Sequence, residues 1–412
     1  MRPRPDLIEP DLPRGLEVFQ LTTEALPSCH VYPLASVFTP DSRRVLLHRA
    51  AHAHGSDPRD PEHRYLMCDV KTGEMVPLTD ERGTIAPCVS LDGSYLYYFV
   101  NETVPGDGRL TLKRVRSDGT ARETLFVMDG PLPGTRDRPS RPYPISSISS
   151  DGQRLALSVF LGDGRTEHAD WGILIFDLER GTVEVPLRGP QYCRMCVYYC
   201  PSPDPAHAHD LLFDECHGSI SDPAGVVLQV TSGAGVDHHL LRDDGTDLRD
   251  LPFGRDGVET AGRFVWWGLT DRVISGVVTR PTVDGRPTKV RRIAAGTAGA
   301  HAEHAGRQTP GAWRRELMDE RPYPDFQHLS VDNAGRQLIA DTDANDQGGL
   351  IYLADLPENE SGTLENVRVL LRPRTSWRKT THTHPCLSPD GRAAFFNSDE
   401  SGVFQAYMVR GW

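Results

Sequence analysis

No stretch of this 412-residue sequence is apolar over the length that a membrane-spanning helix needs. Residues 1–10 also lack the apolar segment of a signal peptide, because prolines, arginines and acidic residues are mixed there. No serine/glycine-rich or charge-rich linker divides the chain. We therefore expect a cytoplasmic protein that forms a single domain over residues 1–412, with residues 1–14 as an N-terminal extension.

The cysteines do not follow the pattern of a disulfide framework or of a zinc finger. The eight thiols fall mostly within apolar strand patterns, which favours reduced, buried side chains. The run Cys193-x-x-Cys196-x-x-x-Cys200 has no second Cys or His pair at zinc-finger spacing, and Pro201 follows it directly. We interpret these cysteines as packing residues.

Positive charge is scarce relative to negative charge. The chain has 45 Lys and Arg against 57 Asp and Glu, a formal net charge of −12. This balance argues against general binding to nucleic acid or to an anionic membrane. It does not exclude a small acidic ligand, because the local charge of a channel can oppose the net charge. A Gly-x-Ser-x-Gly nucleophile elbow is absent as well, which argues against a serine peptidase.

What the sequence does contain is a recurring strand–turn–strand segment. It is clearest at 384–399, and similar segments surround Asp92-Gly93 and Asp151-Gly152. The glycine of each pair supplies the positive φ that a hairpin turn needs, between two apolar stretches. Copies begin near residues 36, 86, 147, 197, 262, 328 and 384. The spacing runs from about 50 residues to the mid-sixties, whereas propeller repeats are commonly roughly 40 to 50 residues long.

Most copies are followed by a second hairpin, such as 65–79, so that each repeat supplies four strands. The last copy is followed only by 404–409 and is one strand short, whereas 17–23 precedes the first copy without a partner. An N-terminal strand that joins the last blade would cover both exposed edges. The sequence thus predicts an all-β, seven-bladed β-propeller with four-stranded blades, the last blade closed by an N-terminal strand.

Histidines stand at the entrances to the predicted innermost strands, where propellers bind ligands. His382 and His384 alternate along a strand, so both imidazoles can reach one ion or one substrate, and both alternatives stay open. A strand that ends in His217 collects ionisable groups beside Gly218, which is how loops present catalytic groups from a rigid scaffold.

Further side chains are expected to face the channel and to bind substrate, namely Gln327, His328 and His238. The histidines between residues 48 and 63 lie around a polar loop and are expected at the surface. Cations beside the inner strands would bind carboxylates, through guanidinium forks or as an ammonium point charge. These are Arg194, Arg242, Arg263, Arg374, Arg378 and Lys379.

Over almost its full length the chain resembles the oligogalacturonate lyases, seven-bladed propeller lyases of polysaccharide lyase family 22 that act in intracellular pectin degradation. The matching segments, in order, are Leu21-Thr-Thr, Phe38-Thr-Pro-Asp-Ser, the hairpin 65–79, Cys216-His217 and the run from His382-x-His384-Pro to Ser398-Asp399. The Phe-Thr-Pro-Asp and Ser-Pro-Asp-Gly pieces occur in many propellers. Cys216-His217 and His382-x-His384 are the more specific parts.

The resemblance implies that the chain is a lyase for a short uronic-acid-containing oligosaccharide, such as an oligogalacturonide. β-Elimination would leave a 4,5-unsaturated uronate. It requires neutralisation of the carboxylate, a base for the C5 proton and help for the departing O4. In the family, a manganese ion held by histidines and a glutamine neutralises the carboxylate. The resemblance assigns the active-site histidine to His217, with Arg194 sharing the proton transfer.

The chain departs from the family where the metal is bound. Lys379 stands at the family's glutamine position, and Arg263 stands where a further histidine is expected. Both side chains repel a divalent cation, yet both bring positive charge to the carboxylate. We therefore hypothesise that Arg263 and Lys379 replace the ion while His382 and His384 bind substrate. The alternative is a Mn²⁺ ion bound by His382 and His384.

A different class of function is a catalytically silent propeller that binds an acidic sugar or a protein partner. For the lyase we expect an acidic oligosaccharide as the partner, no nucleic acid, no membrane, and a monomer or a homodimer.

Overall fold

The computed structural model describes residues 1–53, 55–230, 235–254, 260–279, 282–283, 286–287, 290–300, 311–321, 323–342, 349–359, 361–378 and 380–412. Its strands form seven antiparallel sheets of four or five strands, each of which is one blade. This confirms the predicted seven-bladed β-propeller.

The strands of each blade follow one another from the channel outward. Blade 1 contains Ser28–His30, Arg44–Arg49, Arg64–Asp69 and Met75–Pro77, and blade 2 contains Thr84–Val89, Tyr95–Asn101, Leu110–Arg116 and Glu123–Met128. Blade 3 contains Ser147–Ile148, Arg154–Phe160, Trp171–Asp177 and Thr182–Gly189, and blade 4 contains Val197–Tyr199, Asp210–Cys216, Val236–Arg242, Arg249–Asp250 and Gly299–Ala300.

The remaining blades follow in chain order. Blade 5 contains Thr260–Trp266, Val273–Thr279, Val290–Thr297 and Trp313–Glu316, and blade 6 contains Phe326–Val331, Gln337–Thr342, Ile351–Asp355 and Glu365–Leu371. Blade 7 contains Cys386–Leu387, Ala393–Ser398, Gln405–Arg410, Glu17–Gln20 and Arg2–Pro3.

Shorter elements decorate the loops between the second and third strands. They are the hairpins Ala51–His52 with Gly55–Ser56, Ile220–Ser221 with Val227–Gln229, and Thr282–Val283 with Arg286–Pro287. The helical elements of the described residues are three 3-10 turns, Pro5–Leu7, Pro190–Tyr192 and Pro205–His207. None of the described helices has the length and hydropathy that crossing a membrane requires.

The Ser-x-Asp-Gly sequences close the turn between the first two strands of a blade. The Ser90 hydroxyl donates to Asp92 Oδ1 at 2.6 Å and accepts the backbone N–H of Tyr95 at 2.9 Å. Gly93 follows with φ +72°, a left-handed conformation that favours glycine. The same serine–aspartate pair recurs at Ser149 with Asp151 and at Ser388 with Asp390. The recurring motif therefore stabilises the turn between the first two strands of a blade. It repeats along the chain because each blade needs this turn.

The N-terminal strand closes the ring, as predicted. Glu17–Gln20 pairs antiparallel with the last strand of the chain, with Val18 opposite Val409 and Gln20 opposite Tyr407. Residues 1–14 pack on this edge, because Arg2–Pro3 pairs with the N-terminal strand and Leu7 is fully buried. Blade 7 is thus built from both ends of the chain and leaves no open edge on that strand.

Two histidines that were expected at the surface are buried in blade 1. His48 and His63 are 5% and 2% exposed. The Cys29 thiol lies 2.9 Å from His48 Nε2, and His63 Nδ1 lies 3.0 Å from the Thr84 hydroxyl. Both imidazoles sit beside the Tyr65 ring. The surface assignment was wrong because these side chains alternate into the sheet interior or pack back onto it.

A buried ion pair ties the N-terminus to blade 7. The Arg4 guanidinium forms a double contact with the Glu400 carboxylate, and Glu400 also accepts a hydrogen bond from the Tyr407 hydroxyl. The side chains of Arg4 and Glu400 are each only 10% exposed. Removal of one partner would leave the other charge buried and unpaired.

We expect Arg4→Met to lower the free energy of unfolding by about 3 kcal/mol. Arg410→Met is the matched control, because the Arg410–Glu17 pair also joins the N-terminal segment to the rest of blade 7, but at side-chain exposures of 41% and 55%. An exposed pair contributes less than about 1 kcal/mol, so this variant should stay near wild type. Urea denaturation measures both, and equal losses in the two variants would contradict the role of the buried pair.

Candidate active site

The innermost strands of all blades run in the same direction, so the segments that precede them meet at one end of the channel. We call this end the channel mouth. The loops between the second and third strands of each blade end there too. The topology therefore brings the segments around Arg194, His328 and His382 to the same end of the channel.

Three imidazoles converge at the channel mouth. His328 lies in the innermost strand of blade 6, and His382 and His384 lie on the segment that enters blade 7. One ring nitrogen from each lies within 4.8 Å of the others. The ring centroids of His328 and His384 are 4.2 Å apart, and that of His382 is 5.5 Å from His328. We call this group the three-histidine cluster.

Asp341 orients His328 within this cluster. Its carboxylate lies 2.9 and 3.0 Å from His328 Nδ1 and accepts the backbone N–H of His328 at 2.8 Å. It also accepts a hydrogen bond from the Thr383 hydroxyl. Asp341 is fully buried, so we assign the proton of His328 to Nδ1 and the lone pair to Nε2. This Nε2 is buried and has no hydrogen-bond partner among the described residues.

Aromatic contacts fix the other two imidazoles. Trp377 stacks on His382 with centroids 4.9 Å apart and planes at 24°, and the Tyr32 ring meets His384 edge-on at 4.7 Å. His384 has φ +43° and Trp377 has φ +51°, left-handed conformations that cost energy in residues other than glycine. The fold holds this segment in a strained but defined geometry.

The three-histidine cluster fits a divalent metal ion. Imidazole nitrogens at this mutual distance, with one ring oriented by a buried carboxylate, have the donor chemistry of a transition-metal site. The third imidazole belongs to His328, which had been assigned to substrate. A third imidazole therefore joins His382 and His384, and it comes from His328 and not from position 263, where the resemblance had placed it. Sequence reasoning missed this grouping because it depends on the distance between two blades.

Arg263, on the innermost strand of blade 5, interacts with two buried titratable side chains, Asp214 and Tyr32. Burial raises the pKa of Asp214 to about 6, and the backbone N–H of Cys196, at 2.6 Å, and the Arg263 guanidinium act in the opposite direction. Burial also raises the pKa of Tyr32 to about 12, again with Arg263 opposing. Arg263 therefore places a positive charge close to both groups, while Lys379 lies outside the described residues.

His217 lies in a chain of carboxylates and imidazoles at the end of a blade 4 strand. Its Nε2 is 2.5 Å from Asp237 Oδ2, and its Nδ1 is 3.5 Å from Glu215. Glu215 in turn lies 3.3 Å from His239 Nε2, and His239 Nδ1 lies 2.8 Å from Asp250. Burial opposes charge on His239, but the contacts with Asp250 and Glu215 prevail and raise its pKa to about 9.

The other predicted residues are dispersed. Arg194 is exposed at the channel mouth, with its guanidinium 5.8 Å from the centre of the Tyr143 ring. Gln327 is buried beside His328 in the same strand. His238 is fully buried, with Nε2 3.1 Å from the Thr260 hydroxyl and its ring against Phe264. Burial lowers the pKa of His238 to about 3, so this neutral core residue has no surface for a substrate.

Two of the cations named for an acidic ligand bind carboxylates of the protein instead. Arg242 lies 3.2 Å from Asp210 and Arg374 lies 3.5 Å from Glu9. Arg378 stands beside Trp377, and its backbone N–H donates to the Thr381 hydroxyl.

We expect the protein to bind one Mn²⁺ ion after dialysis against a chelator. His328→Ala should abolish this binding, and Asp341→Asn should weaken it about 10- to 100-fold, because the carboxylate orients a ligand imidazole. His168→Ala, at an exposed histidine of the blade 3 loop, is the control. Titration calorimetry checks this, and unchanged binding by the His328 variant would rule out the cluster as the metal site.

The pKa of His239 has a consequence for stability. The pKa of His239 is raised to about 9 from an ordinary 6.5. The contacts of the charged imidazole with Asp250 and Glu215 therefore stabilise the fold fully below pH 6.5, and this stabilisation is lost as the pH rises through 9. Relative to His239→Gln, the wild type should lose roughly 3 kcal/mol of unfolding free energy over this window. Denaturant titrations at both pH values test this. Parallel curves for the two proteins would contradict a charged His239.

Comparisons with known proteins place the fold. No protein-family model matches the sequence, and no curated protein matches it either. Among solved structures, an oligogalacturonate lyase from Vibrio parahaemolyticus superimposes with a TM-score of 0.67 at 18% identity, over 96% of this chain and 93% of that one. An oligogalacturonate lyase in complex with manganese gives a TM-score of 0.66 at 18% identity, over 97% and 95%. The chain therefore has, over almost its whole length, the fold that its resemblance to the oligogalacturonate lyases implied.

Proposed function

We propose that the protein is a lyase that cleaves a short uronic-acid-containing oligosaccharide by β-elimination and releases a 4,5-unsaturated uronate. The observation that carries this proposal is the three-histidine cluster with its orienting Asp341, at the same channel mouth as the His217 network. The fold shared with oligogalacturonate lyases supports the proposal. The substrate is then an acidic oligosaccharide.

The first requirement of the reaction is a neutralised carboxylate. His328, His382 and His384 would hold a Mn²⁺ ion, which when bound withdraws charge from the carboxylate and acidifies the C5 proton. Arg263 adds a guanidinium near the axis, where it acts on Tyr32 and Asp214. The convergence of three imidazoles favours this arrangement over the hypothesis drawn from the sequence, in which Arg263 and Lys379 replace the ion.

The second requirement is a base for the C5 proton, and we assign it to His217. Asp237 Oδ2, 2.5 Å away, accepts a hydrogen bond from Nε2–H, and this tautomer leaves the lone pair on Nδ1. When Nδ1 takes the C5 proton, the imidazolium is stabilised by Asp237 on one side and by Glu215, 3.5 Å from Nδ1, on the other. His239 Nε2 contacts the same Glu215 carboxylate at 3.3 Å.

The third requirement is a proton for the departing O4. Tyr32 contacts His384 of the three-histidine cluster, and its phenol keeps its proton because burial raises its pKa to about 12. A phenol of this kind donates a proton only to a strong base such as a developing alkoxide. Arg194 remains the second candidate for this step.

We expect the Mn²⁺-loaded protein to produce the ultraviolet absorbance of a conjugated unsaturated uronate from a panel of uronide di- and trisaccharides. His217→Ala should lower kcat about 10²- to 10⁴-fold, because proton transfer by a positioned base contributes that much. Asp237→Asn should lower kcat without a matching change in KM, since it orients the base and does not hold the sugar.

His168→Ala serves as the control for these variants and should retain wild-type rates. Absence of product from every uronide, together with tight binding of the sugar, would instead indicate the catalytically silent propeller. Product formation at an unchanged rate by His217→Ala would exclude His217 as the base.

A further inference from the structure

The end of the channel opposite the mouth contains a cavity of about 280 Å³, which we call the far cavity. Its walls are the innermost strands and the turns that follow them, and all seven blades contribute. These turns lie at the end of each innermost strand that points away from the mouth. None of the described residues that line the far cavity belongs to the three-histidine cluster or to the His217 network.

A loop of blade 1 interrupts the innermost strand of that blade. Val31 donates its N–H to the carbonyl oxygen of Leu46, and the N–H of the same Leu46 donates to the carbonyl oxygen of Val37. Residues 32–36 are therefore inserted opposite a single residue of the neighbouring strand. Such an insertion leaves the sheet and enters the space beside it.

This inserted loop separates the far cavity from the mouth. At its start, Tyr32 contacts His384 and interacts electrostatically with Arg263 of blade 5 and Asp214 of blade 4. A side chain that reaches these other blades lies close to the axis of the ring. Residues 33–35 then line the far cavity. The loop thus closes the inner end of the cavity, and access is from the other end of the channel.

The wall of the far cavity carries no charge among its described residues, although 25% of the chain is charged. Several of its polar groups are already used within the protein. The Ser147 hydroxyl accepts the N–H of Tyr199 at 2.9 Å, and the Tyr199 hydroxyl donates to Asp243 at 2.9 Å. The Ser330 hydroxyl accepts the N–H of Leu387 at 3.3 Å. A wall of this kind offers little to water and favours an uncharged, largely apolar ligand.

One donor in this wall differs from its neighbour in the chain. Trp266 lines the far cavity and is 9% exposed, and its Nε1 has no hydrogen-bond acceptor among the described residues. Trp267 does not line the cavity, is 7% exposed, and donates Nε1–H to the Gly335 carbonyl oxygen at 2.8 Å. A buried donor without an acceptor is costly. The contrast indicates that a ligand supplies the acceptor for Trp266.

The rim of the far cavity is apolar as well. The exposed leucines among the described residues are Leu91, Leu228 and Leu269, and two of these three line this cavity. Leu91 is 43% exposed and Leu269 is 42% exposed. Exposed apolar side chains around a concave site are typical of ligand entrances.

We propose that the far cavity is a second ligand site, for a small uncharged molecule that is mostly apolar and offers one hydrogen-bond acceptor to Trp266. A volume of about 280 Å³ suits a molecule of one or two rings and not a peptide strand. The site does not depend on the proposed lyase activity, because it shares no described lining residue with the groups that carry that activity.

The test uses three probes of similar size, which are ethylbenzene, acetophenone and benzoate. Ligand-observed NMR titrations of the full chain should detect saturable binding of the two uncharged probes and none of benzoate. Trp266→Phe should weaken acetophenone about 3- to 10-fold, because it removes the donor, and should leave ethylbenzene unchanged. Trp267→Phe is the matched control, since its indole N–H is satisfied within the protein, and it should bind both probes like wild type.

A second substitution tests the location without touching the core. Leu269→Asp should weaken both uncharged probes by at least about threefold, because it removes apolar surface at the rim and adds a charge. Val127→Asp, at a 46% exposed valine of the outer strand of blade 2, is the control and should have no effect.

Binding of neither uncharged probe would overturn the proposal, since the cavity would then hold only solvent or a side chain of a protein partner. Benzoate that binds as tightly as acetophenone would overturn the assignment to an uncharged ligand. Acetophenone affinities that are equal in wild type and Trp266→Phe would exclude Trp266 as the donor. Probe binding that Leu269→Asp leaves unchanged would show that the probes bind elsewhere.

Discussion

The ring closes only because the two ends of the chain share one sheet. In blade 7 the strand Glu17–Gln20 hydrogen-bonds to Gln405–Arg410, and the buried Arg4–Glu400 pair fixes the preceding residues against it. Without this pairing, blade 7 would present an open edge and could slide relative to its neighbours. A propeller channel has a defined width only when the ring is closed, so every distance across the channel mouth depends on these few residues.

The geometry of the three-histidine cluster depends on the contact between blades 6 and 7. Asp341 belongs to blade 6, yet it accepts a hydrogen bond from Thr383 on the segment that enters blade 7. The same carboxylate holds the ring and the backbone of His328. A buried anion is costly unless it is fully hydrogen-bonded, and here the bonds that satisfy Asp341 also set the position of one imidazole against the other two. The Asp341 carboxylate therefore both holds blade 6 against the segment that enters blade 7 and sets the position of the His328 imidazole.

The sequence was sufficient to predict what is encoded locally. Alternating apolar residues and the Asp-Gly turns mark each hairpin, and the serine two residues before each aspartate shows why the motif repeats. The sequence did not predict which side chains of different blades lie close together, because no local pattern encodes these distances. For that reason His328 was assigned to substrate and not to the cluster, and His238 was expected at the channel although its ring packs against Phe264.

Net charge says little about such a site, because the distribution of charge decides what it binds. At the channel mouth, carboxylates surround His217, and a cavity is lined by Arg59, Arg141 and Arg194, which have no acidic partner among the described residues. For the acidic oligosaccharide that we propose as the substrate, the first group would be repulsive and the second attractive. The carboxylates near His217 would then disfavour any pose that brings a second uronate to the base. On this argument, the acidic residues that make the whole chain negative also help to select which end of the substrate reaches the three-histidine cluster.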